Sequence, residues 1–232
     1  MKKTRKLLIV TMGALCLFAS HFTISGADPP EIYDAEAIYA KAEKSVFYVK
    51  AFREDGTVKD VGTGFVVSAE GTALTAYHVI GGADRVGCVL NDGKVTVACS
   101  VIAQDETADV AVLKLSPSEI PSGQVDNYVP LELRSSPVKH GEKVFAIGYP
   151  MKETKIITEG IVNSPRAPIN GRDRVLISAQ IVSGMSGGPI LDKYGNMAGL
   201  ISGSLRTMNN IHLVVGTGDI VKIMKDTAEV GK

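Results

Sequence analysis

From Ser45 onward the chain is a succession of short β-rich runs separated by turn residues, with no helical periodicity between them. Runs near 45–53, 61–68, 72–77, 85–91, 94–103 and 109–115 carry β-branched pairs such as Thr96-Val97 and Val110 with Val112. Such residues suit a pleated, half-buried surface. Turns fall at Glu54-Asp55-Gly56 and Ala69-Glu70-Gly71, where Gly and Asp adopt the backbone angles a tight reversal needs. A second set lies near 131–134, 143–148, 155–163, 174–181, 188–193, 197–203 and 211–215. Its turns are Lys139-His140-Gly141, Ile169-Asn170-Gly171 and Lys193-Tyr194-Gly195-Asn196. Between the sets, residues 117–130 are polar, include Pro117, Pro121 and Pro130, and read as a linker. Consecutive strands without crossover helices bury themselves in antiparallel barrels or in a sandwich.

Helical spacing occurs only at the two ends of this region. After the breaker Asp28-Pro29-Pro30, Glu31–Lys44 places Ile32, Ala35, Ile38, Tyr39 and Ala42 on one face, and Ile220, Val221, Ile223 and Met224 do the same within 218–230. Each predicts a short amphipathic helix. The first could serve an oligomer interface or pack on its own barrel.

The first 27 residues have the form of an export signal. Lys2, Lys3, Arg5 and Lys6 precede an apolar run from Leu7 to Ala19, and Ser25-Gly26-Ala27 offers small residues for cleavage after Ala27. The alternative is an uncleaved membrane anchor over residues 7–24, the one way the chain would meet a membrane. Loss of the four basic residues leaves 21 basic against 25 acidic side chains. That mildly acidic balance, without a basic patch, argues against nucleic acid. The expected location is the periplasm or the external medium. An oxidising compartment permits a disulfide between Cys88 and Cys99. They flank the hairpin signal Asn91-Asp92-Gly93-Lys94, directly opposite each other if the loop is Gly93-Lys94 and diagonal if it is Asp92-Gly93.

The chemistry centres on Ser183-Gly184-Met185-Ser186-Gly187-Gly188-Pro189-Ile190. A serine set among glycines belongs to a tight turn that exposes one hydroxyl and lets a substrate carbonyl approach peptide N–H groups. A serine hydroxyl is a weak nucleophile at neutral pH and needs a base, which itself needs an orienting group. Thr75-Ala76-Tyr77-His78 closes one predicted strand, and Asp109 opens the apolar run Val110 to Leu115.

These pieces resemble the trypsin-like, chymotrypsin-fold serine peptidases, most closely the bacterial HtrA/Deg type. The matching stretches are Gly62-Thr63-Gly64-Phe65-Val66-Val67-Ser68, Thr75 to His78, Asn91 to Lys94 and Asp105 to Lys114. They continue with Val144-Phe145-Ala146-Ile147-Gly148-Tyr149-Pro150, Gly160-Ile161-Val162 and the Ser186 loop, covering about 45–217. The resemblance implies an all-β fold of two six-stranded antiparallel barrels, about 45–116 and 131–217, within a protease domain over 28–232. It implies Ser186 as nucleophile, His78 as general base and Asp109 as the group that orients the imidazole, in the chain order the fold family uses. The backbone N–H groups of Gly184 and Ser186 would form the oxyanion hole. Asp105 competes for the acid's role but reads better as a turn residue, and His140 and His212 read as structural. No cofactor is implied, and no His, Cys and Asp cluster has metal-ligand spacing.

Two departures qualify the likeness. Met185 stands where digestive relatives have an aspartate that pairs with a newly cut N-terminus and HtrA-type proteins have asparagine, so activation by that ion pair is not expected. Residues 218–232 are too few for the PDZ domain that HtrA-type proteins commonly carry. The position that selects Lys or Arg in trypsin corresponds to Gln180. With Ile181 on one side and Leu200, Ile201 and Ser202 on the other, the pocket should take an uncharged, aliphatic or small side chain. The expected activity is cleavage of protein or peptide substrates through an acyl-enzyme. The rivals are a silent peptide-binding or chaperone-like protein of the same fold, and an esterase with the same triad.

Overall fold

A computed structural model describes residues 31–90, 94–116, 128–152, 154–205 and 208–230. The expected signal segment, the tip of the Asn91–Gly93 turn and linker residues 117–127 lie outside the described residues.

The first barrel is built from β1 (Val46–Phe52), β2 (Val58–Val66), β3 (Thr72–Thr75), β4 (Arg85–Leu90), β5 (Val95–Asp105) and β6 (Val110–Leu115). It closes in the order β1-β2-β3-β6-β5-β4. The second uses β7 (Lys143–Met151), β8 (Thr154–Ile169), β9 (Arg172–Ile177), β10 (Pro189–Asp192), β11 (Met197–Ser204) and β12 (His212–Gly216). It closes as β10-β11-β12-β9-β8-β7, and all pairings in both barrels are antiparallel. Closure leaves no edge of unpaired N–H and C=O groups. Period-two burial is clearest at the start of β5, where Val95, Val97 and Cys99 are buried and Thr96, Ala98 and Ser100 are exposed.

Helix α1 (Ala35–Ala42) starts at Asp34, whose carboxylate accepts the Ala37 N–H at 2.9 Å. That N-cap makes the helix shorter than the sequence period suggested. Its apolar face turns inward: Ile38 and Ala42 are fully buried, and α1 packs on β7 and β8. Helix α3 (Thr217–Val230) begins directly after β12 and lies across β5, β6, β11 and β12, touching both barrels. The larger core cluster follows the same course, running from Phe47, Phe65 and Leu113 to Phe145, Ile147, Leu200 and Val215. The two barrels therefore share a continuous apolar seam.

Several elements differ from the sequence reading. The strand expected over 72–77 stops at Thr75, and Tyr77–Ile80 forms a single helical turn, α2, closed by the Gly81 N–H on the Tyr77 carbonyl. Residues 131–134 form no strand; Leu133 makes only an isolated parallel bridge to Met197. Strand β8 runs on to Ile169 because β9 pairs with it as far as a two-residue loop. In that loop Asn170 and Gly171 have φ of 51° and 76°, the left-handed pair that matches the twist of a hairpin.

Cys88 lies opposite Val97 and Cys99 opposite Val86, the diagonal register. The cysteines are joined as a disulfide with Cα atoms 6.1 Å apart. Closing a loop of that sequence separation, 11 residues, contributes roughly 3 kcal/mol in the chain-entropy account.

Candidate active site

His78 is the second residue of α2, not the last of a strand. Its backbone N–H donates to Asp109 Oδ1 at 3.0 Å, and its Nδ1 is 3.0 Å from both Asp109 oxygens. A carboxylate only accepts, so Nδ1 carries the proton and the Nε2 lone pair is left free. The imidazole is 45% exposed and the Asp109 side chain 13%. The pair thus offers a reachable base over a sheltered acid. The hydrogen bond to Asp109 raises the His78 pKa above its usual 6.5; burial opposes this, and the charges of Asp109 and Asp60 reinforce it.

Asp109 precedes β6 with φ of 62°, a left-handed conformation that costs a non-glycine residue on the order of 1 kcal/mol or more. Ser202, placed by sequence in the specificity pocket, donates its hydroxyl to Asp109 Oδ2 at 2.5 Å. Asp105 sits in the preceding turn, where Oδ1 accepts the Ala108 N–H at 2.8 Å.

The Ser186 loop is held tightly. The Met185 N–H donates to the Val182 carbonyl at 3.1 Å and Gly184 has φ of 91°, the signature of a type II turn. The Gly188 N–H then returns to the Met185 carbonyl at 2.9 Å, and the Gly187 N–H reaches the Ile201 carbonyl at 2.7 Å. Among the described residues, nothing accepts from the N–H of Gly184 or of Ser186, and the Ser186 hydroxyl has no partner. Met185 itself is fully buried, in the second barrel's core with Ala146, Ile181, Ile190 and Ile201. Gly148 makes room for it: a Cβ there would lie 2.9 to 3.0 Å from the Met185 Cα, Cβ and Cγ.

Thr63 joins this loop to the first barrel. Its buried hydroxyl donates to the Gly184 carbonyl at 2.8 Å and accepts the Tyr149 N–H at 2.9 Å. Its N–H donates to the Ser186 carbonyl at 2.8 Å, and its own carbonyl accepts from the Thr75 hydroxyl at 2.8 Å. A side chain at Gly187 would strike the Thr63 carbonyl and the Thr75–Ala76 segment that leads into His78. These close approaches bring the serine loop against the histidine-bearing segment across the barrel seam. Thr63 was visible in sequence only as the residue between two glycines of a matched motif.

Leu200 and Ile201 are fully buried in different core clusters. Gln180 is exposed, with its carbonyl accepting from the Thr158 hydroxyl at 2.8 Å. Buried His212 faces Ile181: the Ile181 N–H points at Nε2 at 3.4 Å, while Nδ1 lies 2.7 Å from the Ser204 hydroxyl. Burial lowers the His212 pKa below 6.5.

Residues 62–200, more than half of the chain, match the trypsin-like peptidase domain, and the chain belongs to that family. It is 32% identical over 179 residues to Protease Do-like 1, chloroplastic, of Arabidopsis thaliana, covering 70% of this chain and 39% of the relative. It is 33% identical over 147 residues to a probable periplasmic serine endoprotease DegP-like of Pseudomonas savastanoi pv. phaseolicola, covering 62% and 29%. The chain thus spans well under half the length of either relative. The crystal structure of the serine endoprotease from Yersinia pestis superposes with a TM-score of 0.71 at 22% identity, over 87% of this chain and 70% of that one. That likeness is one of fold.

Proposed function

We propose that this chain is an exported serine endopeptidase. Ser186 Oγ attacks the carbonyl carbon of the scissile peptide bond while His78 Nε2 takes its proton. The carbonyl oxygen becomes an oxyanion that accepts from the Gly184 and Ser186 N–H groups. The intermediate collapses as His78 returns the proton to the departing amine, leaving an ester on Ser186. Water, deprotonated by the same nitrogen, then releases the acid and restores the serine. Asp109 holds Nδ1 protonated and stabilises the imidazolium at each transfer.

The observation that carries this reading is the pair of unmatched N–H groups on either side of Met185. Buried backbone donors without acceptors are rare in native structures, and two unmatched N–H groups on either side of Met185, one of them on the serine itself, fit an acceptor that the substrate supplies. One such donor is worth about 3 kcal/mol in the transition state. Gln180 supplies no charge, and the buried His212 beside Ile181 has its pKa lowered, which favours the neutral imidazole. The side chain before the cut bond is accordingly uncharged.

A fluorophosphonate probe should label Ser186 in the wild-type protein and fail on Ser186→Ala and His78→Ala. The same preparation should cut casein and favour aliphatic or small residues over Lys and Arg in a peptide library. Absence of labelling in folded protein would favour the silent binder. Labelling with ester turnover and no proteolysis would favour the esterase.

Export rests on the residue 1–27 pattern, on the Cys88–Cys99 bridge and on relatives named as periplasmic. Among the described residues, no helix is long and apolar enough to cross a membrane. Intact mass of the chain recovered from the cell envelope or medium should begin at Asp28 and lack two thiol hydrogens. A full-length chain with free thiols would overturn both points.

A further inference from the structure

Arg174 is a charged side chain with no role in the chemistry above, and only 9% of it is exposed. It lies on β9 of the second barrel but reaches across to the first. Its Nη1 donates to the Ala108 carbonyl at 2.8 Å, and Nη2 lies 3.4 Å from the Thr107 carbonyl. Among the described residues no carboxylate pairs with it; its neighbours Arg172 and Asp173 pair with Asp105 and Arg166 instead. Burying a guanidinium against carbonyl oxygens alone is costly, so what it holds matters.

The Ala108 carbonyl and the Asp109 N–H belong to one planar peptide unit. Fixing that carbonyl fixes the plane from which the Asp109 φ of 62° is measured. On the other side of Ala108, its own N–H is held by Asp105. The two peptide units that meet at Ala108 are therefore each held by a side chain, and over-determination of that kind is what lets a strained, non-glycine conformation persist. Released, the peptide can rotate toward negative φ, and the carboxylate leaves His78.

We propose that Arg174 is a positioning residue: by holding the Ala108–Asp109 peptide across the barrel seam, it aims the Asp109 carboxylate at His78, so that the acid is set only when the second barrel is docked. This rests on the catalytic reading of His78, Asp109 and Ser186.

The test compares Arg174→Met and Arg174→Lys with the wild type, by peptide kinetics and by NMR titration of His78. In Arg174→Met, kcat should fall roughly a hundredfold, the scale of a one-ångström misplacement, with KM unchanged. The His78 titration should move to lower pH, because its hydrogen bond to Asp109 is weakened. Arg174→Lys, which keeps a donor and the charge, should recover part of both. Asp109→Asn placed on top of Arg174→Met should cost far less than it does alone, since coupled residues are not additive. If Arg174→Met does not fold, Arg174→Gln, which keeps one N–H donor, is read in the same way. An unchanged His78 titration in the folded variant, or full additivity with Asp109→Asn, would overturn the assignment. A wild-type protein that fails to react with the probe while its His78 titration still responds to Arg174 would overturn the catalytic reading and leave the positioning role standing.

Discussion

Asp109→Asn is expected to lower kcat by roughly four orders of magnitude with little loss of stability. The backbone should tolerate the change, because asparagine is among the residues best suited to the left-handed φ of 62° found at this position. The damage is electronic and tautomeric. Asp109 offers two acceptor oxygens, shared among the His78 Nδ1, the His78 backbone N–H and the Ser202 hydroxyl. An amide offers one acceptor and places an NH2 group toward one of these partners. Where it faces Nδ1, the imidazole proton moves to Nε2, the nitrogen that must be free to receive the serine proton. The amide also stabilises the imidazolium far less.

The pH profile supplies a second reading of the same variant. His78 acts as a base only when neutral, so wild-type kcat/KM should rise with pH through the His78 pKa. That pKa lies above 6.5 chiefly because of the hydrogen bond to Asp109. Removing the carboxylate withdraws this cause, so the acid limb should move to lower pH while the plateau drops. A variant within tenfold of wild type, with its limb unmoved, would remove Asp109 from the mechanism.

Met185→Ala should cost about 2 to 5 kcal/mol of stability, the range for emptying a fully buried site of this size, as read from the denaturant midpoint. It should also slow fluorophosphonate labelling of the protein that remains folded. Met185 is the buried centre of the loop: Gly184 and Ser186, with their unmatched N–H groups, flank it directly. Where digestive relatives use an ion pair, the loop here is anchored by apolar packing in the space that Gly148 leaves open. Without that anchor the type II turn can flip its central peptide, which turns the Gly184 N–H away and the Ser183 carbonyl in. Met185→Leu conserves volume and should cost less than about 1.5 kcal/mol, with labelling nearly intact. If Met185→Ala labels at the wild-type rate, the anchor has no part in shaping the site.

Sequence alone singled out His78, Asp109 and Ser186 as candidates, because the glycine frame of the serine, the Thr-Ala-Tyr-His segment and the acid ahead of an apolar run are local signals. Two sets of short strands, without helices between them, likewise marked the chain as all-β, and the resemblance to a known family chose two barrels over a sandwich. Local signals could not show that His78 lies in a helical turn, since that depends on where β3 stops pairing. Nor could they show that the Ser202 hydroxyl donates to Asp109. The clamps on the site, Thr63 on the serine loop and Arg174 on the acid's turn, join residues 121 and 66 positions apart. Those contacts exist only once two closed barrels meet along a shared apolar seam. The same holds for Met185: in the sequence it is a missing charge beside Ser186, and in the fold it is a fully buried side chain at the centre of the Ser186 loop. Burial and long-range hydrogen bonds, which no local pattern encodes, made that difference.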